Sequence, residues 1–237
     1  MAIYVITGKP RHGKTFFLVK LIVGWLKNGE RVYSNILITP AIEKLIKGFN
    51  LKKATGDLDS PKDLANPKKQ LFYWRNIREW NKMKQGIIVA DEGTRYFNPR
   101  KWAMLSEETE IKLQQHGKEE LDIWTTTQHF TRLDLTMRVL VERFLLVEKI
   151  IGPTGNTKKA WGVCRVTEHY LEDMERYLNA PEEDKDLYTV NKEYMLLRKK
   201  YAVCYDTRQA VGRSIPMDLV HEERKCKKCG KVHISHS

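Results

Sequence analysis

Eight residues near the start of the chain constrain its fold more than any other stretch. Positions 8–15 read Gly-Lys-Pro-Arg-His-Gly-Lys-Thr, a complete G-x-x-x-x-G-K-T pattern. A short apolar, β-branched segment precedes it (residues 2–7), and apolar residues at helical spacing follow it. These flanks predict a buried strand and then an amphipathic helix. A glycine loop with this pattern between a strand and a helix is typical of a phosphate-binding loop.

The residue types of this loop suit a nucleoside triphosphate and its Mg²⁺. Glycines allow the backbone to approach an anion closely, and loop and helix N–H groups then surround the phosphates. We expect Lys14 to reach the β- and γ-phosphates and the Thr15 hydroxyl to hold Mg²⁺. A glycine turn that carries a lysine by chance is the alternative. The residues predicted to contact the nucleotide are Gly8, Lys9, Pro10, Arg11, His12, Gly13, Lys14, Thr15 and Phe16.

A second motif ends in two carboxylates. Residues 86–93 read Gly-Ile-Ile-Val-Ala-Asp-Glu-Gly, which predicts a buried strand that delivers Asp91 and Glu92 to one edge of a sheet. In P-loop enzymes the first such carboxylate binds Mg²⁺ and the second polarises the attacking water. The motif is weak alone and gains weight from the phosphate loop upstream. Together they favour a hydrolase over a passive binder.

Another predicted strand, residues 121–129, also ends in polar residues. Gln128 stands at its end, where it could contact the γ-phosphate or orient water. A buried amide at a strand end is the alternative.

The composition and residues 68–84 point to a polyanionic partner. The 237-residue chain has 42 Lys and Arg against 30 Asp and Glu, a net charge of +12, which favours nucleic acid or an acidic membrane surface. A basic enzyme without such a partner is the alternative. Residues 68–84 fit either a nucleic-acid surface or an amphipathic helix with its rings turned inwards. They interleave Lys68, Lys69, Arg75, Arg78, Lys82 and Lys84 with Phe72, Tyr73, Trp74 and Trp80.

These motifs together resemble the zonular occludens toxin (Zot)-type ATPases over roughly residues 1–150. Those are filamentous-phage assembly proteins within the FtsK–HerA group of DNA-pumping and genome-packaging ATPases. In that resemblance Lys14 and Thr15 match the Walker A motif, Asp91 and Glu92 the Walker B motif, and Gln128 the sensor. The other matching segments are Phe97-x-Pro99-Arg100, His116-Gly117, residues 121–124, residues 127–128 and residues 138–142.

The resemblance implies an ATP-driven motor with Mg²⁺ that acts on DNA with viral capsid or assembly proteins. It implies a homo-oligomeric ring in which an arginine of one subunit completes the site of the next. Arg100 is the first candidate for this arginine, and Arg138 and Arg143 follow. Zot-type proteins usually carry a membrane-spanning helix after this domain, and this sequence contains no such segment. We therefore expect a cytoplasmic or virion-associated packaging motor rather than a membrane extrusion protein.

The predicted fold is α/β: a P-loop domain with a mostly parallel central sheet flanked by helices, a β-hairpin extension and a short tail. We expect a core at residues 1–150, an extension at 151–220 that opens with a hairpin, and a basic tail at 221–237.

Cys164 and Cys204 lie in apolar runs and are predicted to be buried thiols. The tail pattern C-x2-C-G-x-x-H-x2-H favours one Zn²⁺, with a terminus that binds no metal as the alternative. Its four ligands would be Cys226, Cys229, His233 and His236.

Three function hypotheses follow. The favoured one is an ATP-hydrolysing nucleic-acid motor for genome packaging or virion assembly, and Zot-like extrusion through a membrane partner is its variant. A small-molecule phosphotransferase would share the phosphate loop but gives no reason for Gln128 or the basic charge. A non-catalytic nucleic-acid scaffold is disfavoured by the intact Asp91-Glu92 pair.

Overall fold

The structure is a computed structural model that describes residues 1–97, 107–152 and 162–205. Its centre is one nine-stranded sheet in the order β3-β4-β2-β5-β6-β1-β7-β8-β9. The strands are β1 (Ile3–Thr7), β2 (Val32–Ser34), β3 (Thr55–Gly56), β4 (Leu71–Tyr73), β5 (Gly86–Ala90), β6 (Leu121–Thr127), β7 (Arg143–Ile151), β8 (Val163–Tyr170) and β9 (Asn191–Leu196).

All neighbouring strands from β3 to β7 are parallel, and β7, β8 and β9 are antiparallel. The predicted mostly parallel sheet with a hairpin is therefore confirmed. The hairpin is β7–β8, and it continues the central sheet rather than leaving it. The turn predicted at residues 152–156 lies outside the described residues, apart from Gly152.

Helices cover both faces of the sheet. The described residues form the α-helices α1 (Lys14–Lys27), α2 (Leu51–Ala54), α3 (Pro61–Ala65), α4 (Glu107–Gln114), α5 (Leu135–Leu140), α6 (Leu171–Asn179) and α7 (Lys199–Ala202). Short 3-10 helices occur at Pro40–Lys44, Ile77–Lys82, Gly93–Arg95, Phe130–Arg132 and Lys185–Tyr188. In the parts of the chain that are described, no helix is both long and apolar enough to cross a membrane.

Alternation along the strands divides the apolar core in two. Ile6 of β1 joins the cluster that contains the buried side of α1, whereas Ile3 and Val5 join the cluster on the other face. This follows from the strand period of two, which sends successive side chains to opposite faces. The second cluster takes residues from α4, α5 and α6, so the parallel strands are buried on both faces.

Three of the four aromatic residues of positions 68–84 belong to this second cluster, and the fourth, Tyr73, packs against the first. Phe72, Trp74 and Trp80 are buried, and the rings of Trp74 and Trp80 pack edge to face at 5.3 Å. The neighbouring basic residues are mostly exposed. The hypothesis of a nucleic-acid surface with stacking rings is therefore wrong here, because the rings stabilise the core and leave only charge at the surface. The segment forms β4 and a 3-10 helix instead of the amphipathic helix of the alternative.

Candidate functional site

The phosphate loop connects β1 to α1, as the motif predicts. Gly8 has a φ of +148° and Gly13 a φ of +94°, both in the range that glycine adopts most readily. Arg11 between them has a φ of +65°. Helix α1 begins at Lys14, directly after Gly13, so its first N–H groups point towards the loop. The strand, loop and helix thus form an anion-binding end of the kind that triphosphates require.

The Lys14 side chain extends back over this loop. Its Nζ donates to the carbonyl oxygens of Gly8 at 2.8 Å and of Lys9 at 3.1 Å. Burial lowers the pKa of the Lys14 ammonium, and the nearby carboxylates of Asp91 and Glu92 oppose this shift. A partly desolvated cation beside the loop N–H groups is well placed to attract phosphate oxygens.

Asp91 joins the loop helix to the neighbouring strands. The Thr15 hydroxyl lies 3.1 Å from Oδ2 and 3.3 Å from Oδ1 of Asp91, and the Thr126 hydroxyl donates to Oδ1. Burial raises the pKa of Asp91, and the hydrogen bonds from Thr126 and Thr15 act in the opposite direction. A hydroxyl and a carboxylate that converge in this way provide the hard oxygen ligands that Mg²⁺ prefers.

The backbone at the carboxylate pair is fixed from both sides. Asn35 donates from Nδ2 to the Asp91 carbonyl at 2.9 Å and accepts from the Asp91 N–H at 2.8 Å. Glu92 adopts a left-handed conformation (φ 56°, ψ 51°), and its N–H donates to the Thr126 hydroxyl at 2.9 Å. This conformation is strained for a residue other than glycine and is common at functional sites. It turns the chain so that Asp91 and Glu92 line one cavity.

That cavity has a volume of about 310 Å³ and lies at the carboxyl ends of β1, β5 and β6. Strand β6 lies between the other two, so residues that follow it stand between the phosphate loop and the carboxylates. Gln128 is one of these residues. The cavity is lined by Pro10, Arg11, Lys14, Thr15, Asp91, Glu92, Thr94, Thr126, Thr127, Gln128, His129 and Arg132.

Some predicted residues lie elsewhere. The Phe16 side chain is buried in the core, 5.9 Å from the Tyr201 ring, so only its backbone can serve the site. Lys9 and His12 belong to the loop but do not line the cavity. Arg143 begins β7 and so lies at the amino ends of the parallel strands, away from the cavity. Its Nη1 is 3.8 Å from Oε1 of Glu168, and its guanidinium lies over the Tyr170 ring.

Two groups of predicted residues cannot be placed. Arg100 and the tail residues Cys226, Cys229, His233 and His236 lie outside the described residues. Within the residues that are described, no cluster of three or more His, Cys, Asp or Glu side chains could hold a metal ion. Cys164 and Cys204 are buried, as predicted.

Thr126 belongs to none of the sequence motifs, yet its hydroxyl contacts both carboxylate residues. We expect Thr126→Val to lower kcat for nucleotide hydrolysis roughly 10-fold, because it removes a hydrogen bond to Asp91 and the acceptor for the Glu92 N–H. Thr126→Ser keeps the hydroxyl and should remain within about threefold of wild type. Steady-state hydrolysis assays on the two variants check this. A valine variant with wild-type kcat would show that the hydroxyl has no part in placing the carboxylates.

Gly93 is required for the turn that follows the carboxylates. A Cβ at this position would lie 2.0 Å from the Thr125 hydroxyl oxygen, whereas a Cβ at Gly24 on α1 would meet nothing within 4 Å. Gly93→Ala should therefore lower the free energy of unfolding by about 1–3 kcal/mol, and Gly24→Ala should raise it by up to about 1 kcal/mol. Urea denaturation of both variants measures the two effects. Equal effects would contradict the tight packing at Gly93.

The largely parallel sheet, the glycine loop between β1 and α1, and the two carboxylates that follow β5 define a P-loop NTPase fold. More particularly, the chain belongs to the zonular occludens toxin (Zot) family, whose family model matches residues 2–190.

The chain is also similar to several individual proteins. The chain is 30% identical over 140 residues to the Gene 1 protein of Escherichia phage If1, covering 59% of this chain and 39% of that protein. Among solved structures, it resembles the N-terminal domain of zonular occludens toxin from Neisseria meningitidis (TM-score 0.48, 20% identity, 86% and 98% of the two chains). It also resembles the genome packaging NTPase B204 of Sulfolobus turreted icosahedral virus 2, bound to ATPγS (TM-score 0.49, 12% identity, 72% and 93%).

Proposed function

We propose that this protein hydrolyses ATP at the cavity between the phosphate loop and Asp91-Glu92. The observation that carries the proposal is the convergence of Lys14, Thr15, Asp91 and Glu92 on that single cavity. Lys14 and the loop N–H groups bind the phosphates, Glu92 polarises the attacking water, and Gln128 contacts the γ-phosphate or orients the water. Each of these groups reaches the cavity from a different element of the fold.

Thr15 and Asp91 are the residues that would hold Mg²⁺. Their oxygens lie 3.1 Å apart, and the Thr126 hydroxyl orients the carboxylate from its other side. When bound, the ion would neutralise charge on the β- and γ-phosphates. The Asn35 hydrogen bonds keep the Asp91 backbone in place, so the carboxylate is set before the nucleotide arrives.

We propose further that hydrolysis drives a DNA motor in phage genome packaging or virion assembly. Membership of the Zot family and the relative from Escherichia phage If1 support a viral assembly role. The net charge of +12 suits a polyanion such as DNA. Viral capsid or assembly proteins are the other proposed partners, and the proposed location is the host cytoplasm or the virion.

Ring formation remains a proposal that rests on the resemblance. Arg100 is the proposed residue that acts on the site of a neighbouring subunit. Arg143 is a weaker candidate, because Glu168 and Tyr170 already engage its guanidinium. The proposed zinc site in the tail is separate from hydrolysis, and elemental analysis of the full chain against Cys226→Ser would test it.

An ATPase assay with and without linear double-stranded DNA tests the proposed function, with Lys14→Ala as the control for contaminating hydrolysis. We expect phosphate release that exceeds the control and rises several-fold with DNA, with stimulation that weakens as salt increases. Release no greater than that of Lys14→Ala would contradict ATP hydrolysis. Hydrolysis that DNA leaves unchanged would contradict the motor and favour the phosphotransferase alternative.

A further inference from the structure

The phosphate loop lies against a part of β7 that β1 leaves uncovered. The last pair between these strands is Thr7 with Leu146, whereas β7 continues to Ile151. Beyond Leu146, β7 therefore has no ladder partner on β1, and the loop follows it there. A Cβ at Gly8 would lie only 2.3 Å from the Val147 carbonyl oxygen. This close approach shows that the start of the loop touches the β7 backbone directly.

The far end of the loop is held by β7 and β8 together. The Lys149 N–H of β7 donates to Nδ1 of His12 at 3.4 Å, and the Cys164 thiol of β8 donates to the His12 carbonyl at 3.2 Å. Lys149 and Cys164 are directly opposite each other in the antiparallel ladder. The Cys164 sulfur is also 3.4 Å from the position of a Cβ on Gly13. Two adjacent strands thus contact adjacent residues of the loop.

Cys164 is suited to act as a hydrogen-bond donor rather than as a reactive thiol. Its side chain is fully buried, and burial raises the pKa of the Cys164 thiol, so the sulfur keeps its proton at neutral pH. The residues that line the cavity do not include Cys164, Val147 or Lys149. Any effect that these residues have on a nucleotide must therefore pass through the loop.

We propose that Cys164 is a positioning residue that holds the phosphate loop from behind, through the His12 carbonyl and the close contact at Gly13. The inference rests on the proposed role of the loop in nucleotide binding. Gly8 and Gly13 give the loop many accessible conformations, and Arg11 is held at a disfavoured φ of +65°, so ordering the loop on binding would cost affinity. Contacts from β7 and β8 order the loop when the protein folds, so that nucleotide binding does not have to order it.

Cys164→Val tests this, with Cys204→Val as the matched control. Cys204 is also a buried free thiol, but it donates to the Lys200 carbonyl at 3.1 Å, at the end of α7. We expect Cys164→Val to raise the Kd for a fluorescent ATP analogue about 5-fold and Cys204→Val to change it less than about twofold. Cys164→Ser keeps a donor and should return the Kd to within about twofold of wild type. Thermal denaturation of each variant monitors the change in core packing that both valine substitutions introduce.

Hydrogen exchange without nucleotide gives a second readout. The backbone amides of Lys9, Arg11, His12 and Gly13 should exchange faster in Cys164→Val and at the wild-type rate in Cys204→Val. Equal Kd changes in both variants, or unchanged loop exchange in Cys164→Val, would overturn the proposal. If wild type bound no analogue while loop exchange still rose in Cys164→Val alone, the positioning role would stand and the proposed nucleotide function would fail. Cys164→Ala replaces the valine variant if that variant does not fold.

Discussion

Replacing Glu92 by glutamine is expected to lower kcat for ATP hydrolysis by roughly 10²- to 10³-fold while nucleotide affinity stays within about threefold of wild type. Glutamine has the same size as glutamate but cannot accept a proton from water. The fold should be unaffected, because the Glu92 side chain is exposed and its backbone is held by the Thr126 hydroxyl. Single-turnover hydrolysis and equilibrium binding of the same preparation separate the two effects.

Glu142→Gln is the control for this change. Glu142 is an exposed carboxylate just before β7, at the edge of the sheet opposite the cavity, where its N–H donates to the Ile3 carbonyl. Its loss should leave kcat and affinity unchanged. Wild-type turnover by Glu92→Gln would show that Glu92 takes no part in the chemistry, and Asp91 would then be the one carboxylate left among the described residues that line the cavity.

Lys14→Ala should weaken ATP binding at least about 100-fold, the second large effect that the site predicts. The ammonium supplies charge-assisted hydrogen bonds to phosphate oxygens, each worth about 1.5–3 kcal/mol. Isothermal titration with a non-hydrolysable ATP analogue measures the change. The free energy of unfolding should change little. Burial lowers the pKa of Lys14, which means that the fold disfavours its charged form, so removal of the ammonium takes away little stabilisation.

Lys20→Ala is a matched control from the same helix. Lys20 lies on α1 but faces β9, with its Nζ 3.5 Å from Oε1 of Glu193. We expect this variant to bind ATP as wild type does, because partly exposed ion pairs contribute little and this one does not reach the cavity. Equal losses in the two variants would point to general charge attraction rather than to a specific lysine contact.

Much of the fold and the centre of the site could be predicted from local patterns. The glycine loop, its flanking strand and helix, and Asp91-Glu92 each depend on residues close in sequence, so spacing alone was enough to identify them. The hairpin of β7 and β8 was likewise visible as two strand-like runs around a turn. Each of these features is formed by residues that lie close together in the sequence, so a short stretch of sequence contains the information that specifies it.

Features that depend on register were not predictable. Thr126 lies at the site because β6 pairs with β5, with Ala90 opposite Thr125. Cys164 lies beside the loop because β8 pairs with β7. The rings of residues 68–84 fitted two hypotheses equally, since composition does not say which face of an element meets the core. Long-range pairing settled each case.

The position of β1 in the sheet has a consequence for how the protein is made. Its strand neighbours are β6 and β7, with Ile3 opposite Ile123 and Val5 opposite Phe144. A ribosome releases β1 long before either neighbour, so the nascent strand emerges with both edges unpaired and prone to wrong partners. Closing such a long loop is also slow. A nascent chain that ends before residue 121 would contain the whole glycine motif, yet it would lack both strands that give the motif its shape.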